Sequence, residues 1–247
     1  MNGCADPSVH IDETSWAQAN WKAWLWVALT DDQMAFTIAD NRGADVTRSI
    51  LGTDKSKVVS DRFSGYDWVK QHQYCWSHLR RDMQAMINRR DQGSAVGSEL
   101  LGFSQRLFHW WHQHRDGKMA WSTFLGYARL FRWGVRQMLS RAATCGSEKS
   151  AATCRRLLEG EDDLWTFLKE PGIELTNNSV ERAMRHAELW RKSSGGTASP
   201  WGPRFVERGL SVAATCRQQR RNELEYLTDC LRARLDGTAA PSLLAGV

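Results

Sequence analysis

Asp12 ends the alternating run Val9-His10-Ile11-Asp12, and Asp61 closes the β-branched run Lys57-Val58-Val59-Ser60. A carboxylate among the apolar residues of a strand is costly to bury unless it is paired or binds a metal. Two such groups with no obvious cationic partner suit a divalent ion, because Mg²⁺ prefers a few carboxylate oxygens together with water and phosphate. A third carboxylate, Glu181, lies one turn into a helix that begins at Asn178. Val180, Ala183, Met184, Ala187 and Trp190 form the packing stripe of that helix, and Glu181, Arg185, Glu188 and Lys192 share another. Glu181 also has ordinary readings. Asn178-Ser179-Val180-Glu181 has the form of a capping box, and an Arg185 partner at i+4 is routine helix support. On local grounds alone the cap is the better account.

The elements that must position these groups are readable in outline. After the first strand, Trp24 and Trp26 alternate with Leu25 and Val27, and Met34 to Ile38 ends at the turn Asp40-Asn41-Arg42-Gly43. Ala44 to Leu51 reads as a short helix before the strand that ends at Asp61, and Gln73 to His78 reads as a fifth strand. Three strands, a helix and a strand resemble the opening of an RNase H-like sheet, whose first and fourth strands lie side by side. Asp12 and Asp61 would then face each other at one edge. Further on, Trp121, Phe124, Leu125, Ala128, Phe131, Val135 and Met138 keep helical spacing. Leu100 to Trp111 suggests a helix before it and Leu164 to Leu168 a shorter one after. Gly93 to Gly97 and Gly146 to Ser150 look like joints, and Pro171-Gly172 closes the region. Three helices follow, over Asn178 to Lys192, Arg204 to Gln219 and Asn222 to Leu235. The expected architecture is α/β: an RNase H-like mixed sheet over 1–81, a helical insertion over 82–170, C-terminal helices over 171–236 that complete the core, and a flexible tail over 237–247.

Composition narrows the function classes. The chain has 247 residues, of which 42% are hydrophobic, ample for a packed core. Its longest strongly apolar stretch, Ala23 to Leu29, is far short of the ~20 residues a membrane span needs, and residues 1–8 lack the features of a secretory signal. Six scattered cysteines without a Cys-x-x-Cys pair do not make a disulfide framework. A cytoplasmic, nucleoid-associated protein with no membrane partner is the expectation. The net charge of +5 attracts polyanions without identifying one. Basic clusters at Arg80-Arg81, Arg89-Arg90, Arg155-Arg156, Arg191-Lys192 and Arg217 to Arg221 suit phosphate neutralisation at several points, and equally suit solvated helix faces.

Other chemistries fare worse. His72, Cys75 and His78 lack the second ligand pair that a structural zinc site requires. For His78, a buried, hydrogen-bonded strand histidine is the first expectation and an auxiliary place beside the metal site the second. No Gly-x-Ser-x-Gly elbow supports a serine hydrolase. Trp110, Trp111, Trp121 and Trp133 lie near arginines, but their spacing favours core positions over base stacking. Ser194-Gly195-Gly196 reads as a flexible exit from the Glu181 helix.

Four ordered motifs together carry a resemblance. They are His10-Ile11-Asp12-Glu13-Thr14; Val59-Ser60-Asp61-Arg62-Phe63-Ser64-Gly65-Tyr66; Cys75-Trp76-Ser77-His78-Leu79-Arg80-Arg81-Asp82; and Leu175-Thr176-Asn177-Asn178-Ser179-Val180-Glu181-Arg182-Ala183-Met184-Arg185. Over residues 8–235 the chain resembles the insertion-sequence transposases of the family typified by insertion sequence 66. The resemblance implies a DDE-type catalytic domain using Mg²⁺ or Mn²⁺, with the triad on Asp12, Asp61 and Glu181. Asp61 follows Asp12 by 49 positions and Glu181 follows Asp61 by 120, room for the helical insertion. His78 and Arg185 would be auxiliary, and Arg80, Arg81, Arg191 and Lys192 would contact DNA. Transposon ends and target DNA are the implied partners, with a homo-oligomer or accessory element-encoded proteins. Family members carry a long N-terminal region, whereas this sequence begins eleven residues before Asp12. Weak, non-specific DNA binding by this chain alone is therefore expected. The alternatives are another RNase H-like nuclease, or a truncated, non-transposing DNA- or partner-binding remnant.

Overall fold

The computed structural model describes residues 8–52, 57–170 and 172–244. The chain divides into two compact units, Met1–Gln71 with Asn177–Val247, and His72–Thr176.

In the first unit β1 (Ser8–Gln18), β2 (Trp21–Leu29) and β3 (Met34–Ala39) form an antiparallel meander. Helix α1 (Ala44–Leu51) then returns the chain to β4 (Lys57–Ser60), which pairs with β1 in parallel. The five-stranded mixed sheet has the order β3-β2-β1-β4-β5, and β5 (Gln71–Tyr74) begins in this unit and leads the chain into the other. Both faces of the sheet are covered. Ile11, Trp26 and Val58 pack with Val46, Tyr66 and Val69 on one side. Trp16, Leu25, Val27 and Phe36 pack on the other against Val180, Met184 and Ala187 of α8 (Asn178–Ser194) and Val206 of α9 (Gly202–Gln218). Double coverage explains why β2 is a continuous apolar run and not an alternating one.

Edge strand β3 is closed off by α9. Backbone amides of Met34, Phe36 and Ile38 donate to Thr215 Oγ1 (3.1 Å), Ser211 Oγ (2.9 Å) and Glu207 Oε1 (2.6 Å). Four residues of helix rise ~6 Å and two of strand ~6.8 Å, so polar residues at every fourth position match alternate strand amides. This masks an edge that would otherwise recruit another strand. Helix α10 (Glu223–Asp236) is capped by the Asn222 side chain. Residues 238–244, expected as a flexible tail, run back along the C-terminal helices. Gln219 Nε2 donates to the Leu243 carbonyl at 2.7 Å and Arg221 Nη1 to that of Ser242 at 2.8 Å.

The exit from α8 is held as well. Gly195 ends the helix at φ +74, and Gly196 follows at φ +95 with its Cα so close to the Ala17 carbonyl that a side chain would collide with it. Thr197 bridges to β1: its amide donates to Ala17 O (3.0 Å), its carbonyl accepts from Ala19 N (2.6 Å), and its hydroxyl accepts from Trp16 Nε1 (3.1 Å). The glycines here permit a close approach, so the segment expected as a flexible exit is a clamp on the β1 end.

The second unit is helical, with α2 (Trp76–Asn88), α3 (Gly93–Arg115), α4 (Trp121–Ala142), α5 (Glu148–Glu159), α6 (Glu161–Leu164) and α7 (Thr166–Lys169). Trp111, Phe124, Phe131, Trp165 and Phe167 form its aromatic core, and Trp76 packs on Trp165. The structure differs from the sequence spacing at three places. The strand expected over Gln73 to His78 stops at Tyr74, and Cys75 becomes the N-cap of α2, so His78 is helical. The helical region starts at Trp76, before residue 82. Gly93 and Gly97 lie inside α3 and not in a joint: a Cβ at Gly97 would meet the Met83 carbonyl at 2.8 Å. Pro171 lies outside the described residues. Among the described residues, no helix is long and apolar enough to cross a membrane.

Candidate functional site

Asp12 lies midway along β1, level with the end of its parallel neighbour β4. The β1–β4 register pairs Val9 with Val58 and His10 with Val59; carried two residues on, it sets Asp12 beside Asp61. Alternation along β1 sends His10, Asp12, Thr14 and Trp16 to the α8 face. There His10 meets Asn177, Thr14 Oγ1 donates to Glu188 Oε1 at 3.5 Å, and Trp16 stacks on Trp190 with centroids 5.7 Å apart. Glu181, in the first turn of α8, completes the group: a carboxylate oxygen of Asp12 and one of Glu181 lie within 4.8 Å of each other. Glu188, the other acid on that helix face, sits two turns further along, against Thr14.

Electrostatics agree with this crowding. The Asp12 carboxyl is pushed up to about 7, first by burial, then by the negative charge of Glu13, with Asp61 and Glu181 adding to it. The backbone amide of Glu13 offsets part of this by donating to Asp12 Oδ1 at 2.9 Å. Asp61 Oδ1 accepts from the Phe63 amide at 2.9 Å. The donors at hand are carboxylate oxygens, which hard divalent cations prefer, and a cation bound there would relieve the repulsion.

The helix start decides the local reading of Glu181. Helix α8 has Asn177 at its N-cap, one residue earlier than the sequence suggested, so Val180 and not Glu181 occupies N3. The capping-box register fails. Asn177 itself does not cap its helix. Fully buried, it donates from Nδ2 to the Ile11 carbonyl at 2.8 Å and faces His10 Nδ1 with Oδ1 at 3.1 Å. These bonds tie the start of α8 to β1 at the residues preceding Asp12. Asn177→Ala should destabilise the protein by about 1–3 kcal/mol, since it leaves a buried carbonyl short of a partner. An unchanged urea midpoint would show that the tie contributes nothing.

Three further residues frame the site and were not singled out as functional from the sequence. Glu13 points to the opposite face of β1, its side chain 1% exposed. Tyr66 donates its hydroxyl to Glu13 Oε2 at 2.7 Å, and Arg42 Nε donates to Glu13 Oε1 at 2.5 Å. Burial raises the Glu13 carboxyl, opposed by Tyr66 and Arg42. Burial and Glu13 together hold the Tyr66 phenol well above its usual range, so it stays a donor. The Arg42 guanidinium also lies 4.0 Å from the Phe63 ring centroid and 4.0 Å from Asp61 Oδ2. It lies against both Glu13 and Asp61 and offsets part of the negative charge they place beside Asp12. The signal available in the sequence was Glu13 next to Asp12, and the turn that carries Arg42.

Arg185 is exposed on α8. Arg191 braces the helix on β1, donating from Nη1 to the Ser15 carbonyl and to Ser15 Oγ at 3.1 Å, and Lys192 beside it is exposed. His78, Arg80 and Arg81 belong to α2 of the second unit, where Arg80 lies over the Phe108 ring at 5.0 Å. Arg89 and Arg155 are engaged within that unit, with Ser150 Oγ and with the Ala143 carbonyl and Glu148.

Comparison with known proteins adds a family. The family model described as "Transposase IS66 family" matches residues 3–204. An uncharacterized protein, y4qI, of Sinorhizobium fredii (strain NBRC 101917 / NGR234) is 25% identical over 255 residues, covering 91% of this chain and 46% of that protein. The chain spans about half the length of that curated relative. No solved structure matches.

Proposed function

The chain belongs to the transposase IS66 family, and on that premise we propose that its first unit is an RNase H-like catalytic domain in which Asp12, Asp61 and Glu181 hold Mg²⁺ or Mn²⁺ and act on DNA phosphodiesters. The observation that carries this is the approach of Asp12 and Glu181 to within 4.8 Å, from two elements 169 positions apart in sequence, at the strand end where Asp61 stands in register. The strand order and the parallel β1–β4 pair support the RNase H-like reading.

Bound there, divalent ions would activate the attacking oxygen and offset the charge that builds on the phosphate and the leaving 3′ oxygen. The protein contributes rigid placement. Asp12 and Asp61 are fixed by adjacent strands, Glu181 by a helix tied to β1 through Asn177, and Glu13, Arg42 and Tyr66 hold the opposite face. The reaction is in-line displacement, first by water to free a 3′-hydroxyl at an element end, then by that hydroxyl on target DNA. Element ends and target DNA are the partners, together with a homo-oligomer or other element-encoded proteins.

Incubation of the chain with labelled element ends and supercoiled plasmid, in Mg²⁺, Mn²⁺ or EDTA, tests the proposal. Metal-dependent nicking with strands joined to the plasmid is the expected result. Hydrolysis without joining would mark an RNase H-like nuclease, and no metal-dependent product would remove the catalytic reading.

A further inference from the structure

The β1–β2 hairpin ends in a two-residue turn, Ala19-Asn20, because Gln18 pairs with Trp21. Trp21 stands on this tip with 79% of its surface exposed, an unusual place for the largest apolar side chain. It lines an open groove of about 630 Å³ together with Asn20, Lys22, Arg191, Lys192 and Gly195, and no residue lining that groove carries a carboxylate. The tip is not a loose end. Ala19 is held at φ +48, its amide donates to Thr197 O, and the Gly195–Thr197 clamp fixes the strand on the other side. Trp16, which lines the groove, is stacked on Trp190 of α8. A rigid, exposed indole beside Lys192 suits a nucleotide whose base lies open and whose phosphate meets a cation. A buried base pair offers no such face.

We propose that this groove binds unpaired DNA, with a base stacked on Trp21 and a backbone phosphate at Lys192. The inference rests on the proposed DNA substrate and adds to it a place and a strand state. Strand β1 links the two sites. From Asp12 to Gln18 it rises ~20 Å, which at ~3.4 Å per nucleotide of one strand is about six nucleotides. The groove would grip the frayed flank of a duplex whose phosphodiester lies at the carboxylates.

Binding of fluorescein-labelled dT20, and of the dT20·dA20 duplex, by the full 247-residue chain in EDTA tests this without any need for cleavage. Trp21→Ala should weaken dT20 binding by about 5–150-fold, the range for losing one base–aromatic stack, while Trp21→Phe retains most of it. Duplex affinity should change by less than about twofold. Lys192→Ala should flatten the log affinity–log salt slope for dT20 by about 0.7. Such an exposed side chain can be removed without unfolding the protein, which circular dichroism checks. Unaltered dT20 binding by Trp21→Ala overturns the proposal, as does an equal loss on duplex. A change in sedimentation with no change in affinity would instead make Trp21 a protein contact, and overturns it too. The catalytic reading fails separately: Trp21-dependent binding without nicking removes the carboxylate chemistry and leaves the groove, and Asp12-dependent nicking without a Trp21 effect does the reverse.

Discussion

Asp12→Asn, Asp61→Asn and Glu181→Gln are each expected to lower Mg²⁺-dependent nicking of plasmid DNA by at least about 10³-fold. Metal ions at a phosphoryl centre supply several kcal/mol of transition-state stabilisation, and ~4 kcal/mol corresponds to a thousandfold in rate. Losing a charged ligand forfeits most of that. Duplex binding should be nearly unchanged, since none of the three substitutions removes a cation. Glu188→Gln is the internal control: its carboxylate is engaged with Thr14, so nicking should stay within about tenfold. The loss will not trace to misfolding. The Asp12 carboxyl is held up at about 7 by burial and by Glu13, Asp61 and Glu181, so the metal-free protein should be no less stable with asparagine there. Nicking by Asp12→Asn at the parent rate would remove the assignment.

The parts of this site that were legible in sequence are those set by short-range patterning. Val58-Val59-Ser60 followed by Asp61 reads as a strand end, and Asp12 after Val9 and Ile11 reads as a strand residue. The parts that were not legible depend on where a helix starts or on what lies opposite. Placing Glu181 off the cap required knowing that the helix is counted from Asn177, and Asn177 departs from ordinary capping because its amide group is recruited by His10 and Ile11, 167 and 166 positions away in sequence. Strand β1 runs on to Gln18, past the point where the sequence pattern ends, because apolar alternation fades after Asp12. Trp16 alone continues the apolar face, and its partners, Trp190 and Thr197, come from the far end of the chain. Gly93 and Gly97 illustrate the same limit. Glycine marks a joint or a close contact with equal force, and only the neighbouring Met83 carbonyl shows which applies at Gly97.

The second unit should lose stability steeply in mild acid through one residue. His72 is 2% exposed, its ring edge-on to Tyr74 at 4.9 Å, and its carbonyl accepts from Thr166 Oγ1. Burial lowers its ring pKa from 6.5 to about 4. The folded state therefore refuses a proton that the unfolded chain accepts. Above pH 6.5 both states are neutral and the contribution is complete; as pH falls from 6.5 to about 4 the unfolded chain alone gains a proton, and stability drops by up to about 3 kcal/mol. Other titrating groups, among them Asp12, Glu13, Asp91 and Asp162, also tilt the pH profile, so the informative quantity is the difference between two proteins. His72→Phe keeps a ring in the cavity and removes the proton site. Urea unfolding at about pH 7.5 and about pH 4.5 should show the parent losing about 2.5 kcal/mol more than the variant across that interval, whatever constant offset the substitution introduces. Parallel profiles would mean that the imidazole is protonated as readily in the folded chain as in the unfolded one. Burial would then have to be relieved by a charge partner in the fold.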